Sequence, residues 1–272
     1  MTDMALSLQD QERVAQSQGW RERRIEVLDT AAGKVVVKGQ RAPRHPARYR
    51  VLNALAGLLR APWLKAAPMH GGARAQAVEA SRLRALRAAG APVPELLHVA
   101  GDHLVMQWLG DEHLGLLLQH QHPHALALWR DAADALLRLH AAGQYLSQGF
   151  ARNMIVDARA DPPRLAGVID FEDDPLEVMT LPEAQARDWL AFLQSTLWTL
   201  PLAPAQIDAW LADVMRAERP EVRAEFLHAC RQLGGLRHLP SSRRFGRDTV
   251  ALQAVAAAAH RHARLAHTDS TV

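Results

Sequence analysis

The sequence predicts an α+β protein with a small strand-rich first part and a larger helical second part. Two observations support this division. Apolar and β-branched runs at residues 34–38 and 103–109 are typical of strands in a small sheet, whereas after residue 110 apolar residues recur almost everywhere at helical spacing. The length of 272 residues suits one large domain built of two parts. We therefore place the boundary near Gly110, with an N-terminal part at 1–109 and a C-terminal part at 110–272.

In the first part, a polar, helix-prone lead-in up to about Gly19 precedes the first strand. Gly33 separates the first two strands and favours a hairpin. Gly90, followed by Pro92 and Pro94, ends the last helix of this part. The predicted strands are 24–28, 34–38 and 103–109, and the predicted helices lie within a basic insert at 41–69 and at 76–89.

In the second part, the predicted helices are 114–120, 124–142, 181–200, 205–217, 222–233 and 249–266. Residues 143–175 are the exception, because they contain two short strand-like runs at 154–156 and 167–169. Two parts joined by a short connection leave a cleft between them. Since ligands commonly bind in such clefts, we expect the functional site there.

The charges are unevenly distributed. The chain has 32 Lys and Arg against 29 Asp and Glu, a net charge of +3. Residues 34–87 nevertheless hold twelve basic residues and a single acid, whereas residues 157–188 hold nine acids against three Arg. Such blocks commonly form solvated faces. The alternative is that the basic segment holds an anionic ligand and the acidic segment a divalent cation, and both interpretations stay open.

Cysteine content and the first residues point to a cytoplasmic protein. Cys230 is the single cysteine, which excludes an internal disulfide framework and a zinc site of several thiolates. The run MTDMALSLQDQE carries acids where a signal peptide would carry basic residues, and no apolar stretch approaches the roughly 20 residues of a membrane helix.

Two charged side chains are predicted to point inward. Glu79 shares a helix face with Leu83 and Leu86, and Lys38 ends an apolar strand. Because buried charges need partners, we expect the two to pair and to leave lysine hydrogens for phosphate oxygens. The alternative is that both lie at the edges of their elements, in water.

In the segment GVIDFEDDP, a dense acidic run directly follows the last predicted strand and begins at Asp170. Carboxylates so close together repel one another unless a cation lies among them. Asn153 precedes the partner strand and adds an amide oxygen. Carboxylate and amide oxygens suit Mg²⁺ and the phosphates that it carries.

In this order, the residues resemble the protein-kinase-like superfamily, nearest to bacterial lipopolysaccharide kinases and Bud32-type atypical kinases. Its members show a strand Lys, a helix Glu, a Leu-His-x-x-Gly turn, a His-Gly-Asp loop ending in Asn, an Ile-Asp-Phe metal motif and a later helix Asp. The match covers about residues 24–200. The matching residues are Lys38, Glu79, Leu139, His140, Gly143, Asn153, Asp170, Phe171 and Asp188.

The resemblance implies a two-lobed protein-kinase-like fold, with a small N-terminal β-sheet lobe carrying a helix, a larger and mostly helical C-terminal lobe, and ATP between them. Lys38, supported by Glu79, would contact the phosphates, and Asn153 and Asp170 would hold Mg²⁺. The implied activity is phosphate transfer to a hydroxyl acceptor, with an envelope glycolipid sugar as a candidate. The residues implied at the adenine are Gln107, Trp108 and Leu109.

The expected catalytic loop departs from the family pattern. Gln148 stands where the family has its catalytic Asp, and an amide cannot accept the proton of a hydroxyl. General-base help contributes about 10²–10⁴-fold to a rate. Asp173 or Asp174 could substitute, and the sequence does not select between them.

The loop that covers the phosphates in this family is rich in glycine. Here Gly33 is the single glycine between the first two strands, which is a second departure from the pattern. These departures keep a nucleotide-binding pseudokinase, acting as a scaffold or regulator, as an alternative to an enzyme. A third hypothesis is a tRNA-modification partner, since the resemblance includes Bud32-type proteins. Nucleic acid is the less favoured partner, because an aromatic content of 5% offers few residues for base stacking.

His140 shares a helix face with Trp129, Ala133 and Leu136, which predicts a structural histidine rather than a base or a metal ligand. The scattered remaining histidines have no carboxylate or thiolate at metal-ligand spacing, so no transition-metal site is predicted.

The basic insert combines arginine and lysine with leucine, valine and Trp63. From Arg41 to Lys65 this is the composition of a helix that lies on an anionic lipid or glycolipid surface, which would place the protein at the inner membrane surface. The alternative is a helix that packs on the small sheet with its arginines in solvent. The oligomeric state is not indicated.

Overall fold

Two antiparallel sheets and a helical body make up the chain, in agreement with the predicted α+β class. The computed structural model describes residues 6–31, 33–42, 46–68 and 70–269. Within these ranges the chain forms seven strands and ten α-helices.

The first sheet has four strands in the order β1-β2-β4-β3. The predicted hairpin of β1 and β2 is confirmed, with Ile25 opposite Lys38 and Thr30 opposite Gly33. The four-residue strand β3 was not predicted. The strands are β1 (Ile25–Thr30), β2 (Gly33–Gly39), β3 (Leu96–Val99) and β4 (His103–Gln107).

The two faces of β2 meet different surroundings, because successive side chains of a strand alternate between faces. Val35 and Val37 are fully buried beneath Trp20 and the first helix. Val36 and Lys38 therefore lie on the opposite face, where both border a cavity. The helices of this part are α1 (Leu8–Gln16), α2 (Gly19–Arg23), α3 (Pro46–Leu58) and α4 (Gly72–Ala88).

The second sheet is a three-stranded unit in the order β5-β6-β7. Its hairpin of β6 and β7 was predicted from the sequence, and its short edge strand β5 was not. Met154 pairs with Val168, which brings the residue before β6 beside the residues after β7. The strands are β5 (Glu112–His113), β6 (Met154–Asp157) and β7 (Arg164–Val168).

The six remaining helices surround a core that contains Trp129, Trp189 and Phe192, each at most 1% exposed. A capping box between Thr180 and Glu183 begins α7. No helix in the described ranges is both long and apolar enough to cross a membrane. These helices are α5 (Leu114–Gln119), α6 (Ala125–Ala141), α7 (Leu181–Thr196), α8 (Pro204–Ala217), α9 (Pro220–Leu233) and α10 (Arg247–Asp269).

The basic insert packs on the helical part of the chain. After α3, the indole of Trp63 donates a hydrogen bond of 2.7 Å to the Gln232 side chain on α9. Arg187 on α7 donates to the Lys65 carbonyl at 3.2 Å. Val51, Leu55 and Leu58 of α3 are at least 50% exposed, which argues against the interpretation in which these apolar side chains pack on the small sheet. Positions 43–45 and 69 of the insert lie outside the described residues.

Candidate functional site

The predicted pair of Lys38 and Glu79 forms. The lysine Nζ lies 2.7 Å from Glu79 Oε1, and both residues are buried, at 8% and 3% exposed. Glu79 reaches the strand from α4, where it lies on the same buried face as Leu83 and Leu86. The alternation of β2 and the spacing of α4 together direct the two charges toward each other, as the sequence indicated.

Two further carboxylates contact the lysine. Lys38 Nζ lies 2.8 Å from Glu172 Oε1 and 3.2 Å from Asp170 Oδ1. Lys38 donates hydrogen bonds to Glu79 and Asp170, whereas Glu172 Oε1 accepts none and contacts the lysine as an ion pair. Because an ammonium group has three hydrogens, the expectation that pairing with Glu79 leaves lysine hydrogens for phosphate oxygens stays a prediction.

Glu172 is a site residue that the sequence reasoning did not single out. It is 4% exposed and forms ion pairs with Arg24 and, at 3.5 Å, with Arg41, in addition to Lys38. Burial and the neighbouring charge of Arg41 lower the pKa of Arg24. The sequence contained an indication of this residue, because Glu172 belongs to the acidic run that begins at Asp170. The run is not a strand, however, so no alternation rule showed which of its acids points inward.

Asn153 and Asp170 lie side by side at the end of the β6–β7 hairpin. The backbone N–H of Ile169 donates to the Asn153 carbonyl at 3.0 Å. Asp170 has a φ of 75°, a left-handed conformation that Asp tolerates better than most residues, and its side chain is 35% exposed. The following Phe171 is 1% exposed and anchors the turn in the core.

A cavity of about 450 Å³ lies between the first sheet and this hairpin. Its volume is in the range of small-molecule sites. It brings together most of the predicted site residues, but Gln148 is not among the described residues that border it. The predicted residues that line it are Lys38, Glu79, Gln107, Trp108, Leu109, Asn153 and Asp170.

Gln148 lies instead beside Asp173. Its Nε2 donates to Asp173 Oδ1 at 3.1 Å, and the Ser147 hydroxyl donates to the same oxygen at 2.9 Å. Asp174 is engaged elsewhere, since it accepts hydrogen bonds from the Tyr145 hydroxyl and from the backbone of Leu176. The geometry thus separates two carboxylates that the sequence left equivalent.

The hairpin turn above the cavity is short. β1 ends at Thr30 and β2 begins at Gly33, so only residues 31 and 32 connect them, and residue 32 lies outside the described ranges. The Ala31 N–H donates to Asp10 Oδ2 on α1 at 3.3 Å. α1 therefore holds this two-residue connection, which is too short to form a glycine-rich loop.

The residues present fit a magnesium ion that is also bound by phosphates. Asn153 uses its Nδ2 as the donor to the Gln148 carbonyl, at 3.2 Å, which leaves its Oδ1 as the ligand type that Mg²⁺ takes. Asp170 supplies a carboxylate at the same cavity. Among the described residues, no group of three or more His, Cys, Asp and Glu side chains is arranged to hold a metal ion by itself.

His140 is buried in a second cluster, which confirms that it is a structural histidine. Its Nδ1 lies 2.7 Å from Glu218 Oε2 and its Nε2 lies 3.5 Å from Asp188 Oδ2. Burial by itself would lower the pKa of His140, but the hydrogen bonds and charges of the two carboxylates outweigh it and raise this pKa. Asp188 also accepts a hydrogen bond of 2.6 Å from the backbone of Leu146, at the start of the loop that carries Gln148.

No protein-family model matches the chain, and no curated protein matches it.

Proposed function

We propose that this protein binds Mg²⁺-ATP in the cavity beside Lys38 and transfers the terminal phosphate to a hydroxyl acceptor, with a glycolipid sugar as the candidate. The observation that carries this proposal is the contact of Lys38 with both Glu79 and Asp170 at the wall of a cavity that Trp108 also borders. Positions far apart in the sequence thus lie together, as the kinase-like pattern expects of them.

Nucleotide binding would require the lysine cluster to exchange partners. Lys38, Arg24 and Arg41 balance the charges of Glu79, Asp170 and Glu172, so the cluster is neutral overall. The lysine is nearly buried, whereas Asp170 is about one third exposed at the cavity. Asp170 is therefore the carboxylate that can leave the lysine for a cation, so that Lys38 can donate to a phosphate oxygen instead.

Asn153 and Asp170 would hold Mg²⁺, which when bound neutralises phosphate charge. The remaining chemistry in the proposal is proton removal, and we assign it to Asp173, which is 6% exposed and lies beside Gln148, outside the set of residues that line the cavity. The acceptor hydroxyl gives its proton to the Asp173 carboxylate while its oxygen bonds to the terminal phosphorus. The bond from that phosphorus to the bridging oxygen breaks, and ADP leaves with the electron pair. Gln148 acts as a positioning residue through its bond to Asp173.

The alternative is a pseudokinase that binds nucleotide without transferring phosphate. Two observations favour it. Gln148 stands where the kinase-like pattern has its base, and three carboxylates form ion pairs with Lys38. The two functions share the nucleotide site and differ only in whether phosphate is transferred.

The experiment combines thermal denaturation with transfer of labelled γ-phosphate to sugar hydroxyls. Mg²⁺-ATP should raise the melting temperature of the wild type and should not raise that of Asp170→Asn. Asp173→Asn should keep the thermal shift and lose about 10²–10⁴-fold in transfer rate, the usual contribution of a general base. The matched variant Asp174→Asn should keep both.

Each result decides one step. If the wild type shows no magnesium-dependent shift, the nucleotide site is wrong. If the shift is present but transfer does not exceed that of Lys38→Met, the protein is the pseudokinase. If Asp174→Asn loses transfer and Asp173→Asn does not, the assignment of the base is overturned.

A further inference from the structure

The helix of the basic insert exposes its apolar side. Val51, Leu55 and Leu58 in α3 are 61%, 50% and 81% exposed, and Leu59, directly after the helix, is 60% exposed. The first three follow one another at spacings of four and three residues, so they form one stripe along the helix. A surface helix of a globular protein ordinarily turns such a stripe toward the core.

The opposite side of α3 holds it to the protein. Ala56 is 1% exposed, and Asn53 accepts a hydrogen bond of 2.8 Å from the backbone N–H of Ala66. The Asn53 amide also donates to the Ala66 carbonyl, at 3.2 Å. Ala56 and Asn53 thus form the inward side of α3. Because these contacts fix the orientation of the helix, they also fix the outward direction of its leucines.

The segment after α3 is also attached to the helical part. Gln232 on α9 donates a hydrogen bond to the Arg60 carbonyl at 2.8 Å, and His228 lies 3.0 Å from the same oxygen. Together with the bond of Trp63 to Gln232, these contacts hold both ends of the turn that follows the leucines. The apolar stripe is therefore presented on a supported helix.

The charge of the insert selects the kind of surface that it fits. Residues 41–65 carry six Lys and Arg and no Asp or Glu. Arg41 and Lys65 form ion pairs with Glu172 and Glu183, and the other four arginines of the insert are close to the leucines in the sequence. Cations beside an apolar stripe match the phosphates and the acyl boundary of an anionic bilayer.

The same charge argues against two other occupants. A second copy on the same patch would bring two sets of arginines together, and like charges across an interface are unfavourable. RNA would leave the leucines without an apolar partner, because single-stranded nucleic acid is bound through basic grooves and aromatic stacking.

We propose that Val51, Leu55, Leu58 and Leu59 form a membrane-docking face that enters the headgroup region of an anionic bilayer, with the arginines of the insert on lipid phosphates. The proposal is independent of nucleotide binding, so each can fail without the other.

The test is sedimentation of the full chain with vesicles of phosphatidylcholine alone or with about one third phosphatidylglycerol. Wild-type protein should bind the anionic vesicles at least about tenfold more tightly, and added salt should weaken this binding. The double variant Leu58→Glu with Leu59→Glu should lose about tenfold or more in binding. Its matched control is Leu8→Glu with Phe245→Glu, because these side chains are 79% and 62% exposed elsewhere on the surface, and the control should bind like wild type.

Equal binding to neutral and anionic vesicles, or equal loss in the test and control variants, would overturn the proposal. A dimer in sedimentation velocity that disappears in the Leu58→Glu, Leu59→Glu variant would assign the face to a second copy and also overturn it. If the leucine variant does not fold, Arg48→Gln with Arg50→Gln replaces it and should weaken binding to anionic vesicles and flatten its salt dependence.

Discussion

Two buried clusters in this protein place a basic side chain between carboxylates, and they differ in one respect. In the His140 cluster, the side chains of His140, Asp188 and Glu218 are all at most 1% exposed. In the Lys38 cluster, the lysine side chain is 9% exposed, but the Asp170 side chain is 35% exposed and borders the cavity. A closed cluster can gain or lose only protons, whereas an open one can also exchange a carboxylate for a ligand.

The partners of the closed cluster explain its role. Glu218 Oε2 accepts from the indole of Trp189 at 2.7 Å as well as contacting His140. Asp188 accepts from the backbone of Leu146 at 2.6 Å. These bonds join α6, α7, the C-terminal end of α8 and the loop before Gln148. The cluster therefore supports the loop of the candidate site without reaching its cavity.

The largest expected effect is on stability at the closed cluster. His140→Leu leaves Asp188 and Glu218 buried without their cation, and removing one partner of a buried ion pair costs about 3–5 kcal/mol. Lys38→Met also leaves Glu79 buried without its cation, but it should cost less in total. One buried carboxylate rather than two loses its cation, because Arg24 and Arg41 still neutralise Glu172 and Asp170 is partly hydrated. Urea denaturation of both variants measures the difference in unfolding free energy.

The nucleotide response supplies the control for this pair of variants. Lys38→Met should lose the thermal shift with Mg²⁺-ATP, and any His140→Leu protein that remains folded should keep it. A larger stability loss in Lys38→Met than in His140→Leu would contradict the distinction between a closed and an open cluster.

A smaller effect is expected at Gly149, which lies between the two clusters. A Cβ at this position would be 2.8 Å from the Asp188 carbonyl oxygen. This neighbour is a backbone atom and cannot rotate away. Gly149→Ala should therefore push the loop away from α7 and lower the free energy of unfolding by about 1–3 kcal/mol. Thermal denaturation with and without Mg²⁺-ATP measures the loss of stability and any change in the thermal shift that the nucleotide causes.

Gly235→Ala is the matched control, since a Cβ there meets nothing within 4 Å among the described residues. If Gly149→Ala lowers stability but leaves the nucleotide shift intact, the closed cluster does not help to position the open one.

The smallest effect is the pH dependence of the closed cluster. The pKa of His140 is raised above its ordinary 6.5, so its stabilisation is complete below about pH 6.5 and is lost as the pH rises through the raised value. Burial would raise the pKa of Glu218, but the hydrogen bond and charge of His140 outweigh it and the pKa lies below its ordinary 4.5. That contribution is present above about pH 4.5 and is lost as the pH falls. The cluster should thus stabilise the fold most between these limits.

The measurement is the wild-type unfolding free energy minus that of His140→Leu across pH 5 to 9, about the range in which histidine titrates. The difference should decline above pH 6.5 by at most about 1.4 kcal/mol per pH unit for one proton. A difference that grows with pH in this range would show that His140 is neutral in the fold.

The contact of Lys38 with Glu79 could be predicted because two local rules apply to it together. Strand alternation directs the lysine to one face, and the helical spacing of Glu79, Leu83 and Leu86 directs the glutamate to the same interior. The two hairpins followed from the same kind of short-range pattern. These features need only neighbouring residues to define them.

Glu172 and the direction of α3 could not be predicted, because both depend on distant partners. Glu172 lies in an irregular segment and is fixed by Arg24, directly before β1, and by Lys38 on β2. The apolar pattern of α3 shows which side is apolar but not which side meets the protein, and that is decided by the bonds between Asn53 and Ala66. The strand β3 was missed for a simpler reason, since four residues after Pro94 carry too short a pattern.

The attachment of the insert to α9 has a mechanical consequence. The first sheet is connected to the helical body by the chain at Gly110, by the ion pairs of Lys38, Arg24 and Arg41 with Asp170 and Glu172 and, through the insert, by the hydrogen bond of Trp63 to Gln232. If a ligand replaced the ion pairs, the insert and its Trp63 bond would still resist a movement of the sheet about Gly110. Widening of the cavity would then require the insert to bend or the Trp63 bond to break. Hydrogen exchange at α3 would therefore report on the opening of a cavity that α3 does not itself line.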